Sequence, residues 1–234
     1  MKFKEKDLQN LYGTNTETGG RKVLRYFLYV LYLVIGFSII FALINFGTFK
    51  KRFDFWYKEN ITTEEVDNSP LIGSGTNQSH NSTDDIINVP AVPNGAIVIE
   101  KIDVQAPIVW DVPNTPTETE SNLKNGVIHL HGTAKPGEGG NVFITGHSSD
   151  YFWSNGKYKE AFVLLDKLVV GDKIYINFNN VIYGYSVVEK KSVKPNDLSV
   201  LDQEDKRILS LMTCTPVGTA LNRLIIVAEE FYKR

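Results

Sequence analysis

An uncharged apolar run near the N-terminus places the strongest constraint on the architecture of this chain. No Asp, Glu, Lys or Arg occurs from Tyr26 to Phe49, a stretch of 24 residues rich in Leu, Ile, Val, Phe and Tyr. At about 1.5 Å per residue, a helix of this length would extend roughly 36 Å, enough to cross a bilayer core with some tilt. The run is longer than the apolar region of a signal peptide and lacks a clear small-x-small cleavage site. We therefore predict a retained membrane-spanning helix over residues 23–49, with a cleaved signal peptide and a buried core helix as alternatives.

Basic residues on either side of this run predict its orientation. Six Lys or Arg residues precede the run within residues 1–25, and four follow it within residues 50–58. Because Lys and Arg accumulate on the cytoplasmic side of membrane helices, this bias favours a cytoplasmic tail over residues 1–22. The remainder of the chain is then predicted to lie outside the cytoplasm.

The composition changes after the apolar run. Asn, Ser, Thr, Gly and acidic residues dominate around Asn68–Asp85, where large apolar side chains are few. Such a segment cannot bury enough apolar surface to offset the entropy lost on ordering. We therefore predict a flexible, disordered stalk over residues 50–90.

Charge and cysteine content exclude several classes of function. The chain has 25 basic and 27 acidic residues and a formal net charge of −2, which is unlike the basic footprint of a nucleic-acid-binding protein. Cys214 is the single cysteine, so an intrachain disulfide and paired-cysteine zinc or redox motifs are excluded.

Residues 91–234 are predicted to form an all-β domain. Short β-branched or aromatic runs recur along this part, separated by turn signals such as Pro93–Gly95 and Gly171–Asp172. Many short strands at this spacing are typical of a closed barrel or a sandwich. The strongest candidate for a short helix is Tyr158–Leu165. The eight predicted strands are Ile97–Ile99, Ile108–Trp110, Gly126–Leu130, Asn141–Thr145, Lys173–Phe178, Val181–Val188, Ile208–Thr213 and Leu224–Ala228.

The segment Ser210–Leu224 has the pattern of a β-hairpin, in which two apolar runs flank a loop containing Pro, Gly and Asn. If the turn is centred between Gly218 and Thr219, Cys214 and Arg223 are equidistant from that point and face each other. Directly opposed residues on antiparallel strands project to the same side of the sheet. A guanidinium beside a thiol favours the thiolate and could also stabilise an oxyanion. A small buried cysteine and a solvated strand arginine are the alternative interpretation.

A cysteine nucleophile also needs a base or acid nearby, and the chain has four histidines. His147 follows the predicted strand that ends at Thr145, and strand ends leading into loops are favourable positions for catalytic groups. His129 and His131 are two apart on one predicted strand, so they should share a face. A zinc site would need a third ligand, and none is evident in the sequence, so no metal site is predicted. His80 falls in the predicted stalk.

Three motifs, taken in order along the chain, resemble those of the sortases. Thr145-Gly146-His147 is similar to the His motif of that family, Leu211–Cys214 to its Cys motif and Asn222–Ile225 to its Arg motif. The resemblance covers roughly residues 95–230, and the sequence around the Cys and Arg motifs looks class D/E-like. It implies an all-β, closed eight-stranded sortase-type barrel with one or two short helices. It also implies a cysteine transpeptidase anchored by a single-pass helix to a bacterial cell membrane, with its catalytic domain outside.

The resemblance implies a role for each of the three motif residues. Cys214 would attack the Thr carbonyl of a C-terminal sorting signal of the Leu-Pro-x-Thr-Gly kind, giving a thioester that splits one difficult acyl transfer into two easier steps. His147 would protonate the departing amine, and Arg223 would stabilise the oxyanion or hold the substrate. An amine from a cell-wall precursor or a pilin lysine would then resolve the thioester. The predicted substrate-binding residues are Thr213, Thr215 and His131.

The chemistry implied by this resemblance needs no cofactor. Asp111, Glu118 and Glu120 are scattered acids in a predicted loop within the segment from Val104 to Asn125. Calcium binding by these acids is the alternative to a solvated loop. The same segment lacks the aromatic Asp-Pro lid motif of pilin-polymerising sortases, which favours an anchoring or class D/E-like enzyme.

The implied partners are surface proteins that carry a sorting signal, an amine acceptor and the lipid bilayer, with no nucleic acid. Two alternatives remain at this stage. Water rather than an amine could resolve the thioester, giving net hydrolysis, or the barrel could be a catalytically silent surface interaction module. A papain-like protease is disfavoured because its Cys precedes its His, whereas His147 precedes Cys214 here.

Overall fold

The computed structural model describes residues 19–61, 89–149, 154, 156–203 and 205–234. The chain divides into two compact units, residues 1–44 and residues 45–234. The α-helices in the described parts are α1 (Gly19–Ile44), α2 (Phe46–Ile61) and α3 (Pro116–Leu123). The β-strands there are β1 (Ala96–Ile99), β2 (Val104–Val112), β3 (Val127–Leu130), β4 (Gly140–Thr145), β5 (Lys173–Phe178), β6 (Val181–Val193), β7 (Arg207–Thr215) and β8 (Asn222–Lys233).

Helix α1 contains a segment, Arg21–Ile44, that is long and apolar enough to cross a membrane by length and composition. The helix ends at Ile44, however, and not at residue 49 as the charge-free run predicted. Asn45 interrupts the run, and its carbonyl accepts the first hydrogen bond of the next helix from the Phe49 amide at 3.0 Å. Asn is a favoured residue at the start of a helix, which explains why a new helix begins here.

The first part of the predicted stalk is instead helix α2, which packs on the barrel. Arg52 donates two hydrogen bonds of 2.9 Å to the two carboxylate oxygens of Asp166, and a third of 3.3 Å to the Val163 carbonyl. The Phe55 ring packs against the barrel core. The prediction of disorder from residue 50 was therefore wrong for residues 50–61, because their partners lie more than a hundred positions away in the sequence. Residues 62–88 of the predicted stalk lie outside the described residues.

The start of α2 packs against the side chain of Glu160, which precedes β5 in the barrel domain. Thr48 is buried, and its hydroxyl donates to the Glu160 carboxylate at 2.8 Å. A Cβ at Gly47 would lie 2.9 Å from the same carboxylate, so only glycine fits at this position without moving Glu160.

The eight strands close into a barrel in the order β1-β2-β3-β4-β7-β8-β6-β5, and β5 returns to β1. The pairs β2–β3 and β4–β7 are parallel, and the other pairs are antiparallel. Every predicted strand overlaps one of these strands, so the all-β barrel prediction is confirmed. Alternating side chains of each strand point inward. The largest of the fully buried inward-facing side chains include Tyr185, Phe162, Ile97, Ile144, Leu209 and Leu165.

Two local predictions about helices were wrong. Tyr158–Leu165 forms turns followed by a 3₁₀ turn at Leu165–Lys167, because the Phe162 amide bonds to the distant His147 carbonyl at 2.9 Å rather than to the carbonyl four residues back. The predicted loop that carries Asp111, Glu118 and Glu120 instead contains the end of β2 and the whole of α3. Pro116 begins α3, and the Thr115 hydroxyl caps it by accepting from the Glu118 amide at 3.4 Å.

The parallel pairing of β4 with β7 determines where the predicted site residues meet. Their register runs from Gly140 opposite Arg207 to Thr145 opposite Met212. Because the two strands are parallel, both end at the same mouth of the barrel, although β5 and β6 lie between them in the sequence. Residues that follow Thr145 and Met212 are therefore brought together although they are far apart in the sequence.

Candidate active site

Cys214 and Arg223 lie directly opposite each other on the antiparallel strands β7 and β8. The flanking pairs are Thr213 with Leu224 and Thr215 with Asn222, so the turn is centred where the sequence predicted. Opposed residues on antiparallel strands have Cα atoms about 4.5–5.5 Å apart and project to the same face. The prediction that the thiol and the guanidinium share a face is therefore confirmed.

The face that carries Cys214 is the outer face of the barrel. Leu211 and Thr213, its neighbours on the other side of β7, are buried, and Leu211 belongs to the barrel core. Cys214 is half-buried, as is Arg223. The thiol thus lies on a partly covered outer surface, at the end of a strand whose inner face is fixed by the core.

His147 lies two residues past the end of β4, in the loop that continues the strand neighbouring Cys214. It follows the pair of Thr145 and Met212 by two residues, and Cys214 follows Met212 by the same number. The parallel contact continues past the ladder, because the Gly146 amide donates to the Met212 carbonyl at 3.1 Å. The loop that carries His147 therefore begins beside β7, two residues before the level of Cys214, and the meeting of the imidazole with the thiol remains a prediction.

The backbone around His147 is held from three directions. The Gly146 carbonyl accepts a hydrogen bond of 2.8 Å from the Thr213 hydroxyl, and the His147 carbonyl accepts one of 2.9 Å from the Phe162 amide. A Cβ at Gly146 would lie 2.7 Å from the Phe162 ring, which is fully buried. Glycine before His147 is therefore required by the packing of Phe162, and the three contacts fix the His147 backbone relative to β7.

The loop between β7 and β8 is connected to the loop that carries His147. The Gly218 amide donates to the Ser149 hydroxyl at 3.0 Å. At the start of β8, the Arg223 guanidinium donates to two backbone carbonyls nearby. These are the carbonyls of Ala220, at 3.1 Å, and Asn222, at 3.3 Å. These contacts draw together the segments that carry the three predicted catalytic residues.

An apolar surface extends along the outer face next to Cys214 and Arg223. The 3₁₀ turn at Ser199–Leu201, in the connection between β6 and β7, contributes to it. The sequence analysis missed this surface, although outward-facing apolar residues alternating along β7 and β8 could have indicated it. Its residues are Leu130, Phe143, Val193, Val200, Leu201, Met212, Ile225 and Val227.

Comparison with known proteins identifies this arrangement. Residues 97–231 match the family model described as the Sortase domain. The chain belongs to the sortase family. It is 29% identical over 170 residues to sortase D of Bacillus subtilis, covering 68% of this chain and 76% of that protein. It is also 27% identical over 181 residues to sortase A of Streptococcus agalactiae, covering 77% of this chain and 64% of that protein.

Solved sortase structures share the barrel. Sortase C1 from Streptococcus agalactiae aligns with a TM-score of 0.50 and 31% identity, covering 59% of this chain and 67% of that one. Sortase A from Corynebacterium diphtheriae, a lid mutant, aligns with the same TM-score and identity, covering 58% of this chain and 69% of that one. The fold is therefore that of a sortase, and the similarity to sortase D is compatible with the class D/E-like prediction. Membership of the family supports a cysteine transpeptidase role in anchoring surface proteins.

One predicted substrate-binding residue of this sortase, Thr213, has a structural role. Thr213 is buried, and its hydroxyl is engaged by Gly146, so it holds the two site strands together and does not face substrate. Thr215 is half-buried at the end of β7, and its role in substrate binding remains a prediction.

His131 is far from the other site residues, which corrects its predicted role in substrate binding. The antiparallel register that pairs His129 with Ile144 places His131 level with Val142, about 16 Å from His147 along β4 at roughly 3.3 Å per residue. His131 does lie on the same side as His129, as predicted, because the Nδ1 atoms of His129 and His131 lie 3.7 Å and 3.9 Å from the Asp111 carboxylate. His129 is fully buried, whereas the His131 side chain is 70% exposed.

At this distal end of the sortase barrel, Asp111 is engaged by a lysine. Lys135 Nζ lies 2.6 Å from the Asp111 carboxylate, and this hydrogen bond holds the pKa of Asp111 below its ordinary value. Burial lowers the pKa of His129, whose Nδ1 accepts from the Asp111 amide at 3.3 Å and whose Nε2 lies 2.9 Å from the Ala134 carbonyl. His129 is therefore a neutral structural histidine that donates through Nε2.

The acids considered for calcium belong to different elements: Asp111 to β2, and Glu118 and Glu120 to α3. Within the described part of the chain, no group of three or more His, Cys, Asp or Glu side chains is placed to hold a metal ion. Calcium binding, like the expectation that no cofactor is needed, remains a prediction.

Proposed function

We propose that this chain is a membrane-anchored transpeptidase that cleaves a Leu-Pro-x-Thr-Gly-like sorting signal and joins the acyl part to an amine. The observation that supports this most strongly is the pairing of Cys214 with Arg223, next to the point where the loop that carries His147 leaves β4 beside Met212. A nucleophile, a proton donor and a fixed cation are the groups that acyl transfer needs.

In the first half of the reaction, the Cys214 sulfur attacks the Thr carbonyl carbon, and the carbonyl oxygen takes up the electron pair. Arg223 stabilises the resulting oxyanion. When the tetrahedral intermediate collapses, the C–N bond breaks, and His147 gives its proton to the departing glycine amine. The product of this half-reaction is a thioester between the Thr carbonyl and Cys214.

In the second half, the amine acceptor attacks the thioester carbonyl, and His147 removes a proton from the attacking nitrogen. The C–S bond breaks, which regenerates the Cys214 thiolate and leaves a new amide. The apolar surface beside the site suits the Leu and Pro side chains of the signal, because it offers a partly buried floor that includes Met212 and Val193.

The proposed location is the outer face of a bacterial membrane, with helix α1 as a single-pass anchor. The length and composition of Arg21–Ile44 support this, and so does the excess of Lys and Arg in the preceding sequence. The partners are surface proteins with a sorting signal, and a cell-wall precursor or pilin lysine as the amine.

A peptide assay tests this function. The full chain in detergent micelles is incubated with a small set of sorting-signal peptides, with and without an amine acceptor. Transfer products that disappear in Cys214→Ala support transpeptidation, and cleavage that does not respond to the acceptor supports the hydrolase alternative. Absence of thiol-dependent turnover with every peptide would contradict both and favour a silent interaction module.

A further inference from the structure

Helix α2 carries a patch of exposed aromatic side chains, here called the aromatic face and made up of Phe46, Phe49, Phe53, Trp56 and Tyr57. The exposed fraction is 63% for Phe46, 59% for Phe53 and 50% for Trp56. The centroid of the Phe53 ring lies 5.9 Å from that of Trp56 and 6.4 Å from that of Tyr57. The rings therefore form one patch and not a set of isolated side chains.

The aromatic face points away from the barrel. An α-helix turns by about 100° per residue, so Phe53 and Tyr57 lie on the opposite side of α2 from Thr48 and Phe55. Thr48 is buried against Glu160, and Phe55 packs on the barrel core. One face of α2 thus holds the barrel, and the aromatic face remains open to the surroundings.

Exposed aromatic rings in the barrel unit are concentrated on this helix. Among the described residues from 45 to 234, Phe231 is the one exposed large aromatic side chain outside the aromatic face, and it is 38% exposed. A contiguous exposed apolar patch marks a surface that another phase or molecule covers. Trp, Tyr and Phe are the side chains that favour the interface between a bilayer and water.

The position of α2 in the sequence indicates what covers the aromatic face. The helix begins at Phe46, two residues after the candidate membrane span ends at Ile44. A helix that follows a span so closely begins at the surface of the membrane. The helix cannot itself be a second span, because it carries four basic and two acidic residues within Lys50–Glu59. Apolar rings on one side and charges elsewhere are typical of a helix that lies in the interface.

We propose that α2 lies along the outer membrane surface, with its aromatic face among the lipid headgroups and its opposite face holding the catalytic barrel. This inference rests on the membrane-anchoring part of the proposed function. The ion pair of Arg52 with Asp166 and the hydrogen bond of Thr48 with Glu160 then fix the barrel at the bilayer surface. The lysines of α2 contribute attraction to anionic headgroups.

Spin labels on the full chain test this proposal. Cys214→Ala gives a background without cysteine, because Cys214 is the single cysteine of the chain. Single labels are then placed through Phe53→Cys on the aromatic face and Asp54→Cys on another side of α2. Ile35→Cys in α1 serves as the reference for the bilayer interior, and Val170→Cys, at a residue 69% exposed in a barrel turn, as the reference for water.

The chain is reconstituted in vesicles of equal parts phosphatidylglycerol and phosphatidylethanolamine, and collisions of each label with oxygen and with a water-soluble nickel chelate are measured. The proposal predicts that nickel collisions at Phe53→Cys fall severalfold below those at Val170→Cys, because a polar chelate is excluded from the apolar part of the bilayer. Oxygen collisions at Phe53→Cys should rise, and Asp54→Cys should behave like Val170→Cys.

Nickel collisions at Phe53→Cys equal to those at Val170→Cys would overturn the proposal. Dipolar broadening at Phe53→Cys that grows with protein density would also overturn it, because a second copy of the chain would then cover the aromatic face. The Ile35→Cys label reports separately on the anchor, and the micelle peptide assay reports separately on catalysis. Failure of the interfacial helix is therefore distinguishable from failure of the proposed function.

Discussion

Cys214 faces Arg223 across the β7–β8 hairpin, and the loop that carries His147 leaves the neighbouring strand β4 beside Met212, two residues before Cys214. The hairpin turn sets the first relationship, and the parallel crossover sets the second. The proposed chemistry depends on both, because acyl transfer needs the nucleophile, the cation and the proton donor within reach of one carbonyl group.

Replacing Arg223 tests the role of the guanidinium. We expect Arg223→Ala to lower kcat/KM for a sorting-signal peptide by at least about 10²-fold, the cost of removing an oxyanion donor. Arg223→Lys should recover little, because an ammonium lacks the planar fork of a guanidinium. The matched control is Arg207→Ala at the opposite end of the same hairpin, which should retain activity. Near-native kcat/KM in Arg223→Ala would contradict the assignment.

Gly146→Ala tests how tightly the His147 backbone must be held. The added methyl group would lie 2.7 Å from the buried Phe162 ring, so the ring or the strand end must move. Since small misplacements of catalytic groups are costly, we expect a loss of about tenfold to 10²-fold in kcat/KM. Phe162→Leu in the same chain should restore part of the activity by making room.

The control for this substitution is Gly139→Ala, where the nearest atom to an added Cβ is 4.0 Å away. Its kcat/KM should equal that of the wild type. If Gly146→Ala were as active as this control, the packing of Phe162 would not determine the position of His147.

The register of Cys214 with Arg223 could be predicted because a short loop fixes which residues of a hairpin face each other. The eight strands were also predictable, from short β-branched runs between turn residues. The docking of α2 on the barrel could not be predicted. Its partners Glu160 and Asp166 are distant in sequence, and the composition after Phe49 does not indicate them.

The errors at α3 and His131 have separate causes. Helix α3 has little apolar periodicity, although Thr115 followed by Pro116 and Glu118 is a helix-start signal that could have located it. The His131 error came from the register of β3 with β4, which places His131 level with Val142 and was not evident from the sequence.

The ion pair that docks α2 should contribute measurably to stability. A double-mutant cycle with Arg52→Ala and Asp166→Ala should give a coupling of about 0.5–1 kcal/mol in chemical unfolding, since both side chains are partly exposed. The more exposed pair of Lys50 and Asp54 serves as the control and should give less than about 0.5 kcal/mol. A coupling for Arg52 and Asp166 no larger than the control would argue that this ion pair does not hold α2.

Stability should fall on acidification because of His129. Burial lowers the pKa of His129 below its ordinary value of 6.5, so the unfolded chain takes up a proton more readily than the folded one. The free energy of unfolding should therefore decrease as the pH falls below about 6.5 and level off below the folded-state pKa. Thermal unfolding across this range should show a smaller decrease in His129→Gln than in the wild type.

The exposed His131 provides the control for this titration, since His131→Gln should keep the full decrease in stability. An identical pH dependence in wild type and His129→Gln would show that another group causes the acid sensitivity.

The most direct test of the central claim is the intact mass of the full chain, quenched in acid during reaction with a Leu-Pro-x-Thr-Gly peptide without an amine acceptor. A thioester intermediate predicts an added mass equal to the acyl part of the peptide up to its Thr. The adduct should lie on the fragment with Cys214 and be released by hydroxylamine. The adduct should be absent from Cys214→Ala. Cleavage of the peptide by Cys214→Ala at the wild-type rate, or an adduct on another residue, would contradict the account.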